Sequence, residues 1–71
     1  MADSVYKFIE LVGTSSESWE KAAAAAVSQA SKSVRDLRVA DIVQFDATIE
    51  NGKIKSYRAK VKLSFKVESQ G

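Results

Sequence analysis

The chain has no cysteine, no histidine and no proline, and only three glycines among its 71 residues. Without cysteine there is no disulfide framework and no thiolate metal site. Without histidine the commonest general base and the commonest transition-metal ligand are both missing. Together these absences argue against a hydrolytic or redox enzyme working through its own side chains, and the chain reads as non-enzymatic. Long apolar runs are also missing. Ala22–Val27 is far short of the ~20 residues that a membrane span requires. The N-terminus lacks a basic region followed by an apolar stretch, so a cytoplasmic location is the expectation. There is no low-complexity linker and no internal repeat. The net charge of +2 is mild and by itself implies no nucleic-acid partner.

What is present fits one domain over residues 1–71. A chain this short buries only about 60% of its unfolded surface and often depends on partner subunits. Val5–Val12 is rich in β-formers and stops at Gly13, which predicts a first strand. Tyr6 and Phe8 share one face, with Val5, Ile9 and Leu11 largely on the other, so both faces carry apolar groups. Thr14–Ser18 signals a helix start. Ser15 and Ser18 are the best capping candidates, and Thr14 with Glu17 has capping-box spacing. The helix is expected to run to Val34 or Arg35. Trp19, Ala23, Ala26, Val27, Ala30 and Val34 form its apolar stripe, which places Trp19 in the core. Lys32 and Arg35 suit the negative end of the helix dipole.

The rest of the chain reads as a hairpin. Leu37–Glu50 and Ile54–Glu68 flank Asn51-Gly52, the pair that a type I′ turn favours because both of its central residues need φ > 0. In the third strand Tyr57, Ala59, Val61, Leu63, Phe65 and Val67 alternate with Arg58, Lys60, Lys62, Ser64 and Lys66. A two-residue turn pairs Glu50 with Lys53 and carries the register onward. It puts Val39, Asp41, Val43 and Phe45 on the same face as Arg58, Lys60, Lys62 and Ser64. Either a bulge shifts the phase, or that second face is also buried. The fold class that follows is α+β, a β-α-β-β chain. Its three-stranded antiparallel sheet, in order 2-3-1, packs on one helix. A helix of ~30 Å cannot cover strands of ~40–45 Å, and it leaves one face bare. A bare face carrying Phe45 and Val43 predicts a homo-oligomer.

The pieces Ile9-Glu10-Leu11-Val12-Gly13-Thr14-Ser15, the Ala-rich helix, Leu37-Arg38, Gly52, Tyr57 and Lys62-Leu63-Ser64-Phe65-Lys66-Val67-Glu68 resemble the dodecins over about residues 4–68. The resemblance implies a hollow homododecamer that holds a small ligand or ion at its subunit interfaces. In flavin-binding dodecins a Trp stacks on the isoalloxazine ring and a Gln hydrogen-bonds to it. Those positions fall on Val39 and Arg58 here, so the resemblance is to a branch without the flavin platform, described as calcium dodecins. The pocket positions carried over are Val39, Asp41, Gln44 and Arg58. Asp41 and Asp46 are the candidate metal ligands, with Glu50 and Asn51 at the turn as weaker ones. Calcium wants six to eight oxygens and there is no EF-hand loop, so a site must be assembled from few carboxylates, backbone carbonyls, water and neighbouring subunits. The plain alternative for Asp41 is a cross-strand pair with Lys60 or Lys62.

Two other functions are open on the residues alone. Storage of flavin mononucleotide or riboflavin would require strong binding despite Val39 and Arg58. A nucleic-acid module would use the basic row Arg58, Lys60, Lys62 and Lys66, but exposed aromatics beside it are few. A purely structural cage is a third reading.

Overall fold

The computed structural model describes residues 3–67. Four elements follow in order: β1 (Tyr6–Ser15), α1 (Trp19–Ser31), β2 (Leu37–Glu50) and β3 (Lys53–Lys66). The sheet is antiparallel throughout in the order β1-β3-β2, so β3 is central. This is the expected β-α-β-β topology. Glu68, expected to close the third strand, lies outside the described residues.

β1 does not stop at Gly13. It continues to Ser15, which pairs with Tyr57. Gly13 has a different role: a Cβ there would fall 2.0 Å from the carbonyl oxygen of Ala22. The helix backbone packs directly onto β1 at this point, and only glycine leaves the room. The chain then turns into the helix. Ser15 Oγ accepts from the amide of Glu17 at 3.0 Å, and Ser18 is the N-cap, accepting from the amide of Lys21 at 3.0 Å. The capping-box pairing of Thr14 with Glu17 is not what forms. Glu17 instead meets Lys21 one turn on.

The helix has 13 residues, ending before Val34 and Arg35. Val34 and Ser33 both donate to the carbonyl of Ala30, which closes the last turn. Lys32 is the C-cap, at the negative end of the helix as expected, while Arg35 lies beyond it. Asp36 then adopts φ 61° and turns the chain into β2.

The expected apolar stripe holds at Ala23, Ala26, Val27 and Ala30, gains Ala22 and loses Trp19 and Val34. Ala22, Ala26 and Ala30 are buried, four residues apart, against Ala59, Val61 and Leu63 of β3. Ile9, Leu11, Ala23, Val27 and Leu37 pack around this cluster. Burying Val61 and Leu63 is worth about 2 kcal/mol each, and the alanines let the helix lie close. Trp19 is not core. It is 37% exposed, at the first helical position, above the outer part of the hairpin.

At the turn Asn51 and Gly52 have φ 54° and 75°, as a type I′ hairpin requires. Glu50 opposes Lys53, but its ion pair is with Lys55 at 3.5 Å. The phase conflict between β2 and β3 is resolved by register shifts. One lies between Thr48 and Ile49, one between Ile42 and Gln44, and one between Leu37 and Val39. They turn Phe45 to the helix side, opposite Ala59, while Val39 and Asp41 stay on the far side opposite Ser64 and Lys62. The 14-residue strands of the hairpin, about 46 Å long, outrun the 13-residue helix of about 20 Å.

Candidate functional site

The face of the sheet turned away from the helix is open. Its centre is the β3 row Arg58, Lys60, Lys62, Ser64 and Lys66, alternating with the buried residues on the other side. β1 contributes Thr14, Val12, Glu10, Phe8 and Tyr6 opposite these in turn. β2 contributes Asp46, Gln44, Asp41 and Val39 opposite Arg58, Lys60, Lys62 and Ser64. Tyr6, Phe8, Val12 and Val39 are each about half exposed or more. These apolar side chains are interspersed with the charged row rather than buried beneath it.

The charges on this face are arranged unevenly. Arg58 donates from Nε to Asp46 Oδ1 at 2.7 Å and from Nη2 to Oδ2 at 2.9 Å. These hydrogen bonds hold the Asp46 carboxyl below its usual range against a desolvation effect, and the charges of Arg58 and Lys60 act in the same direction as the bonds. The guanidinium is correspondingly raised by its bonds to Asp46. Lys62 lies between Glu10 and Asp41 in register, yet its Nζ stands 4.8 Å from the centre of the Phe8 ring. Among the described residues Asp41 has no ion pair within 4.0 Å. The expected cross-strand pair of Asp41 with Lys60 or Lys62 is therefore present as register and not as contact.

Val39 and Arg58 do share this face, but one pairs with Ser64 and the other lies six residues along β3 from it. At ~3.3 Å per residue that is about 20 Å, so one chain does not join them in a pocket. Asp41, Asp46 and Glu50 are likewise spread along β2. Asp41 is opposite Lys62, Asp46 is held by Arg58, and Glu50 is beside Lys55 at the turn. Among the described residues no three of His, Cys, Asp and Glu gather as a metal cluster. Among the described residues, therefore, carboxylate side chains alone do not gather the six to eight oxygens that calcium takes.

On the opposite side a small aromatic cluster stands over the hairpin. The Trp19 ring meets Tyr57 edge-on at 4.7 Å and Phe45 at 6.0 Å, and its Nε1 donates to the Asp46 carbonyl at 2.9 Å. Sequence reasoning missed this group, and it missed Glu10 as a member of the open face. Alternation along β1 from Phe8 would have placed Glu10 there. No such signal exists for the aromatic cluster, because it depends on the register shifts.

Comparison with known proteins fits this architecture. The Dodecin family profile matches residues 5–68. The calcium dodecin of Mycobacterium tuberculosis is 51% identical over 65 residues, 90% of each chain. Its crystal structure, that of a calcium-chelating immunodominant antigen with a novel calcium-binding site, aligns with a TM-score of 0.80 over 96% of this chain and 99% of that one. A dodecin of Thermus thermophilus is 38% identical over 64 residues, covering 90% of this chain and 93% of that protein. The structure of dodecin from Streptomyces coelicolor aligns at 31% identity with a TM-score of 0.90, over 99% of this chain and 100% of that one. With sequence and fold matched over nearly its whole length, the chain belongs to the dodecin family.

Proposed function

We propose that this protein is a non-enzymatic homo-oligomer, twelve subunits as the dodecin resemblance implies, that holds a small ligand or ion between copies of its open face. The observation that carries this reading is the composition of that face. Tyr6, Phe8, Val12 and Val39 are exposed around a charged row, and within it the Asp41 carboxylate is free of an ion pair among the described residues. An apolar rim of this kind is stabilised by a second copy, and association brings carboxylates from different chains together. Calcium is the favoured ion, supported by the similarity to a relative named calcium dodecin. Asp41 is the carboxylate best placed to contribute. Asp46 contributes only if Arg58 is displaced, and Glu50 would act from the hairpin turn. Val39 offers no stacking platform for a flavin, which ranks flavin storage second. The cytoplasm is the proposed location.

The test combines light scattering on a sizing column with calorimetric titration of calcium, flavin mononucleotide and riboflavin. A dodecamer that takes calcium and leaves both flavins unbound is the expected result. A stable monomer overturns the assembly. A flavin response without a calcium response overturns the choice of ligand.

A further inference from the structure

We propose that Trp19 selects the register of the β2–β3 hairpin, and so decides that Asp46 rather than Phe45 faces Arg58 on the open face. This goes beyond the ligand reading and does not depend on which ligand is held.

The pairs Ile42–Val61 and Ile49–Ile54 bracket six residues on each strand, 43–48 and 55–60. Equal spacing means that an unbroken ladder could join them. In that ladder Phe45 would oppose Arg58, Asp46 would oppose Tyr57, and Ala47 would oppose Ser56. The structure does otherwise. Val43 drops out of the pairing on β2 and Lys55 on β3, and the five pairs from Gln44–Lys60 to Thr48–Ser56 are displaced by one residue. A one-residue slip exchanges the two faces of a strand. The residues that β2 shows to the open side are therefore set by this displacement as much as by sequence.

Two irregularities on facing strands interrupt pairing, so something must favour the displaced form. β2 is an edge strand, bonded only to β3. β1 ends opposite Tyr57 and pairs with the other side of β3. The helix touches β2 sparsely, and Trp19 supplies the specific contacts to the displaced segment. Its Nε1 bonds to the Asp46 carbonyl at 2.9 Å, and its ring packs on Phe45 at 6.0 Å. In the unbroken ladder Phe45 would leave the ring for the open face, and the Asp46 carboxylate would turn under Trp19 and Tyr57, away from Arg58. The Asp46–Arg58 fork and the Thr48–Ser56 hydroxyl pair at 2.6 Å add to the same preference. Both follow from the displacement rather than reaching in from another element, as Trp19 does.

The absence of native cysteine makes the register readable by cross-linking. Thr48→Cys with Ser56→Cys reports the displaced register, in which these side chains touch. Ala47→Cys with Ser56→Cys reports the unbroken one, because in the displaced register the two side chains lie on opposite faces and cannot meet disulfide geometry. Each pair is oxidised with oxidised glutathione in the full-length protein, and intrachain bonds are counted by peptide mapping. With Trp19 present, the first pair closes and the second stays open. Trp19→Ala is expected to raise the closure rate of the second pair relative to the first by about tenfold, the effect of roughly 1.4 kcal/mol. Trp19→Phe keeps a ring beside Phe45 and removes the donor to Asp46, and is expected to give part of that change. It also serves if Trp19→Ala loses its sheet signal in circular dichroism. An unchanged ratio in either folded variant overturns the proposal.

Discussion

Arg58 holds Asp46 by two parallel hydrogen bonds from the neighbouring strand, on a face that also presents Lys60 and Lys62. Because the bonds favour the ionised form, the folded carboxyl titrates lower than the unfolded one. The stability it contributes is complete above the ordinary aspartate value of about 3.9 and is lost as pH falls through the lower folded value. Carbon-detected NMR titration of the Asp46 carboxyl should give a midpoint below that value. Arg58→Ala should move it upward, and added salt should do so in part, since the pair is exposed and screened. A midpoint indifferent to Arg58→Ala would contradict the assignment.

Gly13→Ala places a methyl group on the Ala22 carbonyl. Backbone cannot yield there as a flexible side chain would, so the helix must lift from β1. The expected loss is roughly 2–3 kcal/mol, read from denaturant unfolding at matched protein concentration, because association contributes to apparent stability. Unfolding indistinguishable from wild type would mean that helix and strand are farther apart than described.

Val39→Trp combined with Arg58→Gln should raise affinity for flavin mononucleotide. Each aromatic stack is worth about 0.5–1.5 kcal/mol beyond area burial, so every new ring that meets the flavin corresponds to roughly a two- to tenfold gain. Quenching of flavin fluorescence measures it. No gain in the double variant would locate the ligand elsewhere than at Val39 and Arg58.

Phe8 projects from the open face under Lys62. Phe8→Lys would remove an apolar contact and set a second ammonium beside the first. If copies cover this face, light scattering should show a smaller assembly, with loss greatest at low salt. An assembly of unchanged mass would place the covered surface elsewhere.

Much of this fold was legible because its signals are local. Asn51-Gly52 marks the hairpin, the regular alternation from Tyr57 to Phe65 marks the buried face of β3, and the strand order follows from the reversal of direction at each connection with the most regular strand at the centre. Local signals failed where distant residues decide. The helix stripe was read with Trp19 and Val34 inside. Close packing at Gly13 selects Ala22 instead, and the chain leaves the helix after Ser31. The open face was partly legible. Val39, Asp41 and Arg58 were placed on it correctly by counting back from the turn. Phe45 and Asp46 were exchanged, since a bulge is a property of two strands and leaves no mark in either alone.

The alanines at positions 22, 26 and 30 have a further consequence. They make the dry side of the sheet a fixed-gauge contact, in which a larger residue would force helix and strands apart. The other side touches none of them. Substitutions at Val39 or Gln44 therefore leave the packing of the helix on the sheet alone. Such a chain can vary the residues of its open face over evolutionary time without having to rediscover how to fold.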